Sequence, residues 1–322
     1  MESALALTNV CKKFGGFTAV NNLSFTVPYG SIFGLLGGNG AGKTTTIRMI
    51  LDILKPTSGS IQLLGSHAAS KVHKRIAYLP EERGLYKKMK VWKCAVYFAT
   101  LKGMDATTAK AEAFELLERY GLGEFIHKKV GELSKGMSQK VQLISTILHN
   151  PDFVILDEPF SGLDPVNQQT LEELIRDLAK RGKTIIFSTH VMQHAERLCD
   201  QLLLMAKGSK VFDGSVNEAK DTLPYRIVLE SNQEVSSLQE LPAVIAMQQV
   251  LTSDTEKTKQ WELQLAKHSD SQSVLQACFD QGIRLQSFRV VEPTLHDVFV
   301  NLVGGHAELN STADQNREVK VA

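Results

Sequence analysis

The chain reads as an α/β protein built on a mostly parallel sheet, with a block of helices inserted between its strands and a small α+β domain behind it. Three features carry that reading. Ile32 to Leu36, Phe153 to Leu156 and Thr184 to Phe187 are nearly continuous apolar runs. That is the pattern of strands covered on both faces, where a sheet with one wet face would alternate. Between about 91 and 149 the apolar periodicity is helical throughout, and beyond 222 short strands return in a group.

With 322 residues and 43% hydrophobic content, the chain suffices for one large or two medium domains with ordinary cores. Thirty-six basic against 35 acidic side chains leave a formal charge of +1. A global field of the kind that attracts nucleic acid is therefore excluded, and no nucleic-acid partner is expected. Cys11, Cys94, Cys199 and Cys278 are scattered without a CxxC pair, which argues against a zinc site or a disulfide framework and fits a reducing cytosol. The start, MESALALTNV, lacks a basic region followed by a long apolar one, and no run is long enough to span a bilayer. Any membrane is expected to be served from outside it.

Taken in order, residues 4–10 and 23–27 read as strands, the second followed by a Pro28-Tyr29-Gly30 turn. Phe14 in the intervening KKFGGFTAV is either a core residue or an aromatic platform for a base. After the strand Ile32 to Leu36 comes GGNGAGKTT, Gly37 to Thr45, and then a helical pattern through Leu54. Strand, glycine-rich turn, Lys-Thr and helix is the context that turns GxxxxGK[ST] into a phosphate cradle. Gly37, Gly40 and Gly42 let successive N–H groups point inward at a helix start. Lys43 would reach the β- and γ-phosphates, and the Thr44 hydroxyl would ligate Mg²⁺. Ser60 to Leu64 alternates like an edge strand, and Arg75 to Leu79 is a short strand closed by Pro80. A polar loop from Glu81 leads into the basic run KKMKVWK, which is either a solvated face or a contact for a partner or lipid headgroups.

Helices are predicted at 92–102, 107–120 and 138–149. Ser134 precedes the third as its N-cap, and the amides of Gly136 and Ser138 lie where a phosphate can bind. The strand Phe153 to Leu156 delivers Asp157 and Glu158 at its carboxyl end, where ligands bind in parallel sheets. There the two acids can divide the work, Asp157 ordering Mg²⁺ through water and Glu158 polarising the attacking water. Ser161 to Pro165 turn the chain into a helix at 167–180, and the strand from Thr184 ends at Ser188, Thr189 and His190. A histidine at a strand tip can meet a γ-phosphate.

The ordered set GGNGAGKTT, IAYLPE, LSKGMSQK, FVILDEP, SGLD and STH resembles the ATP-binding subunit of an ABC transporter, from about residue 4 to 220. The resemblance implies a P-loop NTPase core over residues 1–220: a RecA-like sheet, an antiparallel β subdomain and a helical subdomain at about 91–149. It implies ATP and Mg²⁺ as cofactors. Phe14 resembles the adenine-stacking aromatic, and Gly37, Gly38, Asn39, Gly40, Ala41, Gly42, Lys43, Thr44 and Thr45 the Walker A loop. Glu81 falls at the Q-loop position, Ser134 to Met137 on the signature motif, Asp157 and Glu158 on the Walker B aspartate and catalytic glutamate. Ser161 to Asp164 resemble the D-loop, and His190 the switch histidine. The nucleotide contacts implied beyond Walker A are Ser134, Gly136 and Asp164, the metal ligands Thr44, Glu81 and Asp157, and the catalytic groups Lys43, Glu158 and His190.

The chain departs from the family pattern at Gly38, where proline is usual, at Lys135 and Met137 in the signature, and at Glu81, where glutamine is customary. The stretch IAYLPEERGLYKKMKV and the ending VVEPTLHDVFVNLVGG are similar to ATPases of ABC-2-type exporters, the sodium-efflux and drug-resistance branches included. Their accessory α+β domain would be residues 222–305, a dimerisation or regulatory module, followed by a disordered tail at 306–322. The implied partners are a second copy or a homologous ATPase subunit and an integral-membrane permease, with the protein peripheral on the cytoplasmic face of the inner membrane. Two rivals remain: a soluble ABC-type ATPase of DNA repair or translation, and a nucleotide-gated module that does not hydrolyse.

Overall fold

Residues 3–82, 84–250, 259–265 and 270–304 are described by a computed structural model, in which the chain divides into two compact units, Met1–Val216 and Asn217–Ala322. In the first, β1 (Ser3–Phe14) and β2 (Phe17–Pro28) form a hairpin that runs through bulges well past 4–10 and 23–27. The edge strand β4 (Ser58–Leu63) pairs with β1, giving an antiparallel sheet of order β2-β1-β4.

The second sheet contains β3 (Ile32–Gly37), β5 (Ile76–Leu79), β6 (Phe153–Asp157), β7 (Thr184–Thr189), β8 (Gln201–Ala206) and β9 (Ser209–Ser215) in the order β5-β6-β7-β3-β8-β9. The first five strands are parallel, and β9 returns antiparallel on β8. Every residue of β3, β6 and β7 is buried, which is why these strands read as apolar runs. Helix α1 (Lys43–Ile50) contributes Ile47, Met49 and Ile50 to one core shared with Leu5, Val20 and Phe25 of the antiparallel sheet and Phe33, Ile155 and Ile186 of the parallel one. The rings of Phe25 and Phe33 stack at 5.4 Å across that core. Both sheets therefore brace the loop that α1 follows.

Between β5 and β6 lie α2 (Val91–Leu101), α3 (Ala106–Arg119) and α4 (Lys135–Ile147). Asp105 caps α3 by accepting the Thr107 and Thr108 amides, and Ser134 caps α4 by accepting the Met137 amide at 3.2 Å. That cap starts α4 at Lys135, ahead of the predicted 138. Val91, Cys94, Leu117, Val141 and Ile144 form the helices' own core. Helices α5 (Pro165–Lys180) and α6 (Met192–Leu198) follow β6 and β7, and α7 (Val216–Lys220) follows β9. Asp164 caps α5 and Pro165 opens it, two residues ahead of the predicted start.

The second unit holds an antiparallel sheet of order β11-β12-β10-β13, formed by β10 (Tyr225–Ser231), β11 (Val244–Val250), β12 (Lys259–Leu265) and β13 (Leu285–Val291). Helix α8 (Ser271–Asp280) buries Val274 and Cys278 against Ile227, Leu229, Leu263 and Leu265. A further helix runs from 295 to 304, and the tail expected at 306–322 lies outside the described residues. No helix among the described residues is long and apolar enough to cross a membrane.

Candidate functional site

The loop after β3 closes on itself before α1 begins. Gly37 has a φ of 154°, and a Cβ there would lie 2.4 Å from the Met205 carbonyl oxygen of β8. Gly42, the N-cap of α1, has a φ of 100°, and a Cβ there would meet the Ala19 carbonyl oxygen at 2.7 Å. Backbone packed on both sides leaves room only for glycine at these positions. The result is a cavity of about 360 Å³ lined by Asn39 to Thr45, Phe17, Ala19, Glu81, Glu158 and His190.

Lys43 is buried beneath the loop, its Nζ donating to the carbonyls of Gly37 at 2.7 Å and Gly38 at 3.2 Å. Burial pulls its ammonium below the ordinary lysine value, and the charges of Glu158, Asp157 and Glu81 draw it back. Glu158 Oε1 lies 3.8 Å from Lys43 Nζ and 2.9 Å from His190 Nδ1. A carboxylate only accepts, so the imidazole Nδ1 carries the proton in that contact. Glu158 takes a φ of 47°, a turn out of β6 fixed by its amide donating to Ser188, to the carbonyl at 3.2 Å and to Oγ at 3.1 Å. Lysine, glutamate and histidine thus converge from α1, β6 and β7 on one wall.

Asp157 sits behind that wall and is 2% exposed, accepting a hydrogen bond from Ser188 Oγ. Burial raises its carboxyl above the usual range, against the opposing Ser188 hydrogen bond. The Tyr78 phenol is pushed up to about 12, chiefly by burial and then by the Asp157 charge. Thr44 and Glu81 face the cavity and Asp157 does not line it. The metal set expected from sequence is therefore two oxygen donors at the surface and one carboxylate behind them. Tyr78 and Ser188 stand within the motifs IAYLPE and STH, but only the fold brings them to Asp157.

Phe14 does not line the cavity; its cross-strand partner Phe17 does. Directly opposed residues of a hairpin share a face, so the two rings stand on the same side of the tip. Phe14 is 48% exposed, with the Lys12 ammonium 5.0 Å over its ring.

Ser134, Gly136 and Asp164 lie outside the cavity and form a second cluster. Asp164 accepts from the Asn167 amide at 3.0 Å and from its side chain at 2.6 Å. A Cβ on Gly136 would fall 2.5 Å from that Asn167 nitrogen. Lys135, which replaces the usual glycine of the signature, lies against Gly162, where a Cβ would meet Nζ at 2.1 Å. Two buried glutamines of α4 reach the segments beside the cavity: Gln139 donates to the Pro159 carbonyl at 2.9 Å, next to Glu158, and Gln142 to that of Glu82 at 3.3 Å, next to Glu81. Sequence reading quotes Gln139 inside LSKGMSQK without a role and does not mark Gln142, although polar residues inside an apolar helix face are the signal that finds them.

Residues 20–161 match the ABC transporter family, and residues 214–303 match the C-terminal domain of ATP-binding proteins similar to DrrA1-3. The uncharacterized ABC transporter ATP-binding protein YhaQ of Bacillus subtilis is 42% identical over 93% of this chain and 98% of its own length. The Nod factor export ATP-binding protein I of Burkholderia lata is 41% identical over 64% of this chain and 69% of its own. A solved structure of the ATP-binding subunit of an ABC transporter superposes with a TM-score of 0.63 at 28% identity, covering 68% of this chain and 93% of that one. Likeness over nearly the full length of a relative, on a fold that gathers Lys43, Glu158 and His190, places this chain in the family of ABC transporter ATP-binding proteins.

Proposed function

We propose that two copies of this ATPase trap MgATP between them, each supplying its cavity to one nucleotide and its signature cluster to the other. The observation that carries this reading is the separation within one chain: Lys43, Glu158 and His190 line the cavity, while Ser134, Gly136 and Asp164 do not. A neighbour related by a two-fold axis brings the missing cluster to each cavity.

The loop amides and Lys43 bind the phosphates, and Phe14 stacks on the base beside Phe17. Glu158 accepts the proton of the attacking water, and His190, bonded to Glu158 through Nδ1, presents its other nitrogen to the γ-phosphate. Thr44, Glu81 and Asp157 offer the hydroxyl and carboxylate oxygens that Mg²⁺ prefers, so the donor set fits the ion. When bound, the ion neutralises charge on the transferring phosphoryl group. Loss of that group weakens the contact with the opposite Ser134, and Gln139 and Gln142 pass the opening to the Walker B turn and the loop from Glu81 to Trp92. Coupling of this kind requires ATP to bind the closed pair better than the open one.

The same reading makes this protein the motor of an ABC-2-type exporter, held by a permease on the cytoplasmic face of the membrane. Its support is the DrrA-like C-terminal match and the Nod factor export relative. Residues 222–305 then serve as a dimerisation or regulatory module. Glu158→Gln tests the proposal: turnover should fall about 10²- to 10⁴-fold, the worth of a positioned base, while an ATP-dependent dimer accumulates. Turnover like that of the wild type would remove Glu158 from the chemistry.

A further inference from the structure

The run KKMKVWK is absorbed by none of the site chemistry, and the fold gives it a companion. Residues 87–92 lie antiparallel against 126–131: the Val130 amide donates to the Met89 carbonyl at 2.9 Å, the Gly131 amide to that of Lys87 at 2.9 Å, and the Val91 amide to that of Lys128 at 3.0 Å. Lys90 and Lys129 are direct partners in this ladder. Residues 84–93 and 126–131 together contain Lys87, Lys88, Lys90, Lys93, Lys128 and Lys129 and no acid. All six lysines are exposed, and none forms an ion pair among the described residues. The neighbouring Glu132 is turned onto the Lys129 amide at 2.7 Å.

Like charges placed directly opposite each other across a ladder are destabilising, so this patch is arranged for an anion outside the chain. Its chemistry favours a diffuse anionic surface over a single carboxylate or phosphate. The cations are lysines, point charges on flexible stems, where a shaped oxyanion site would call for the arginine fork. Beside them stand amphipathic aromatics: Tyr86 and Tyr97, both partly exposed, meet edge to face at 5.5 Å. The Trp92 ring lies under Lys93 at 5.6 Å and Lys110 at 5.2 Å. Lysine with exposed tyrosine is a composition found at a membrane–water interface; the Trp92 indole nitrogen, in contrast, is buried.

We propose that this face, built from residues 84–93 and 126–131, rests directly on the anionic phospholipid headgroups of the membrane. The contact is made by the subunit itself and does not depend on a permease. It orients the subunit with residues 84–93 and 126–131 toward the bilayer.

The test is co-sedimentation of the purified full-length chain with vesicles of phosphatidylcholine alone or with phosphatidylglycerol added. Retention is expected only on the anionic vesicles, and is lost at 0.5 M salt as screening shortens to roughly 4 Å or less. Lys93→Gln with Lys128→Gln removes two surface charges and should weaken retention about 30-fold. Thermal melting of the same variant verifies that it is folded, and the salt series on the wild type reports independently of any variant. Equal retention on neutral vesicles, retention indifferent to salt, or a folded double variant that binds like wild type would each overturn the proposal. So would capture by an acidic peptide with no binding to anionic vesicles, since the surface would then belong to a protein.

Discussion

Replacing Lys43 by methionine separates what the cradle owes to its own lysine from what the nucleotide owes to it. Methionine fills nearly the same space, so the substitution opens no large cavity. It removes the donor that Nζ offers to the Gly37 and Gly38 carbonyls at 2.7 and 3.2 Å, and the cation 3.8 Å from Glu158. A buried acceptor left without its partner costs about 1–3 kcal/mol. Relief of the buried ammonium offsets part of that, leaving about 1–2 kcal/mol, or roughly 2–8 °C in melting temperature for a unit of this size. The nucleotide loses a charge-assisted bond worth about 1.5–3 kcal/mol, so ATP should bind at least about tenfold more weakly. The assays are thermal unfolding without nucleotide, and titration with a fluorescent ATP analogue. Lys43→Met that melts with the wild type and binds ATP with unchanged affinity would show that the phosphates are held elsewhere.

Two further outcomes are expected. Phe14→Ala should weaken ATP binding about 5- to 150-fold, the worth of one stacked base, and a loss confined to Phe17→Ala would move the stacking to that ring. His149, whose Nδ1 is buried without a hydrogen-bond partner, has its pKa lowered to about 4, first by burial and then by the Lys102 charge. Between pH 6.5 and about 4 the unfolded chain binds the proton that the folded one refuses, so stability present above 6.5 is lost as pH falls through that window. His149→Gln should flatten the dependence, measured as urea midpoints across it, and an unchanged slope would contradict the burial argument.

Much of this was legible because local and global signals agree. Strands covered on both faces, such as Phe153 to Asp157, have no choice but to be apolar throughout, and helices α2 to α4 carry one apolar stripe each. Ser134 and Asp164 announce their helices because an orphan amide needs an acceptor. The segment after His190 was harder: α6 is short, and β9 is only half-buried, so neither imposes a strong period. The run Leu202 to Met205, closed by Lys207 and Gly208, did carry a strand signal for β8. What no linear pattern contains is proximity between distant turns. Asp157 with Tyr78, Lys135 with Gly162, and the lysines of 87–93 with those of 128–129 meet only through sheet order and loop packing.

The central claim is that the signature of one copy completes the cavity of another. Its most direct test is a structure of Glu158→Gln with MgATP, read at the Ser134 hydroxyl. The account predicts a two-fold dimer in which that oxygen lies within hydrogen-bond distance of the nucleotide held by the neighbouring copy's Lys43. A nucleotide enclosed by a single chain, or a dimer that leaves Ser134 in solvent, would contradict it.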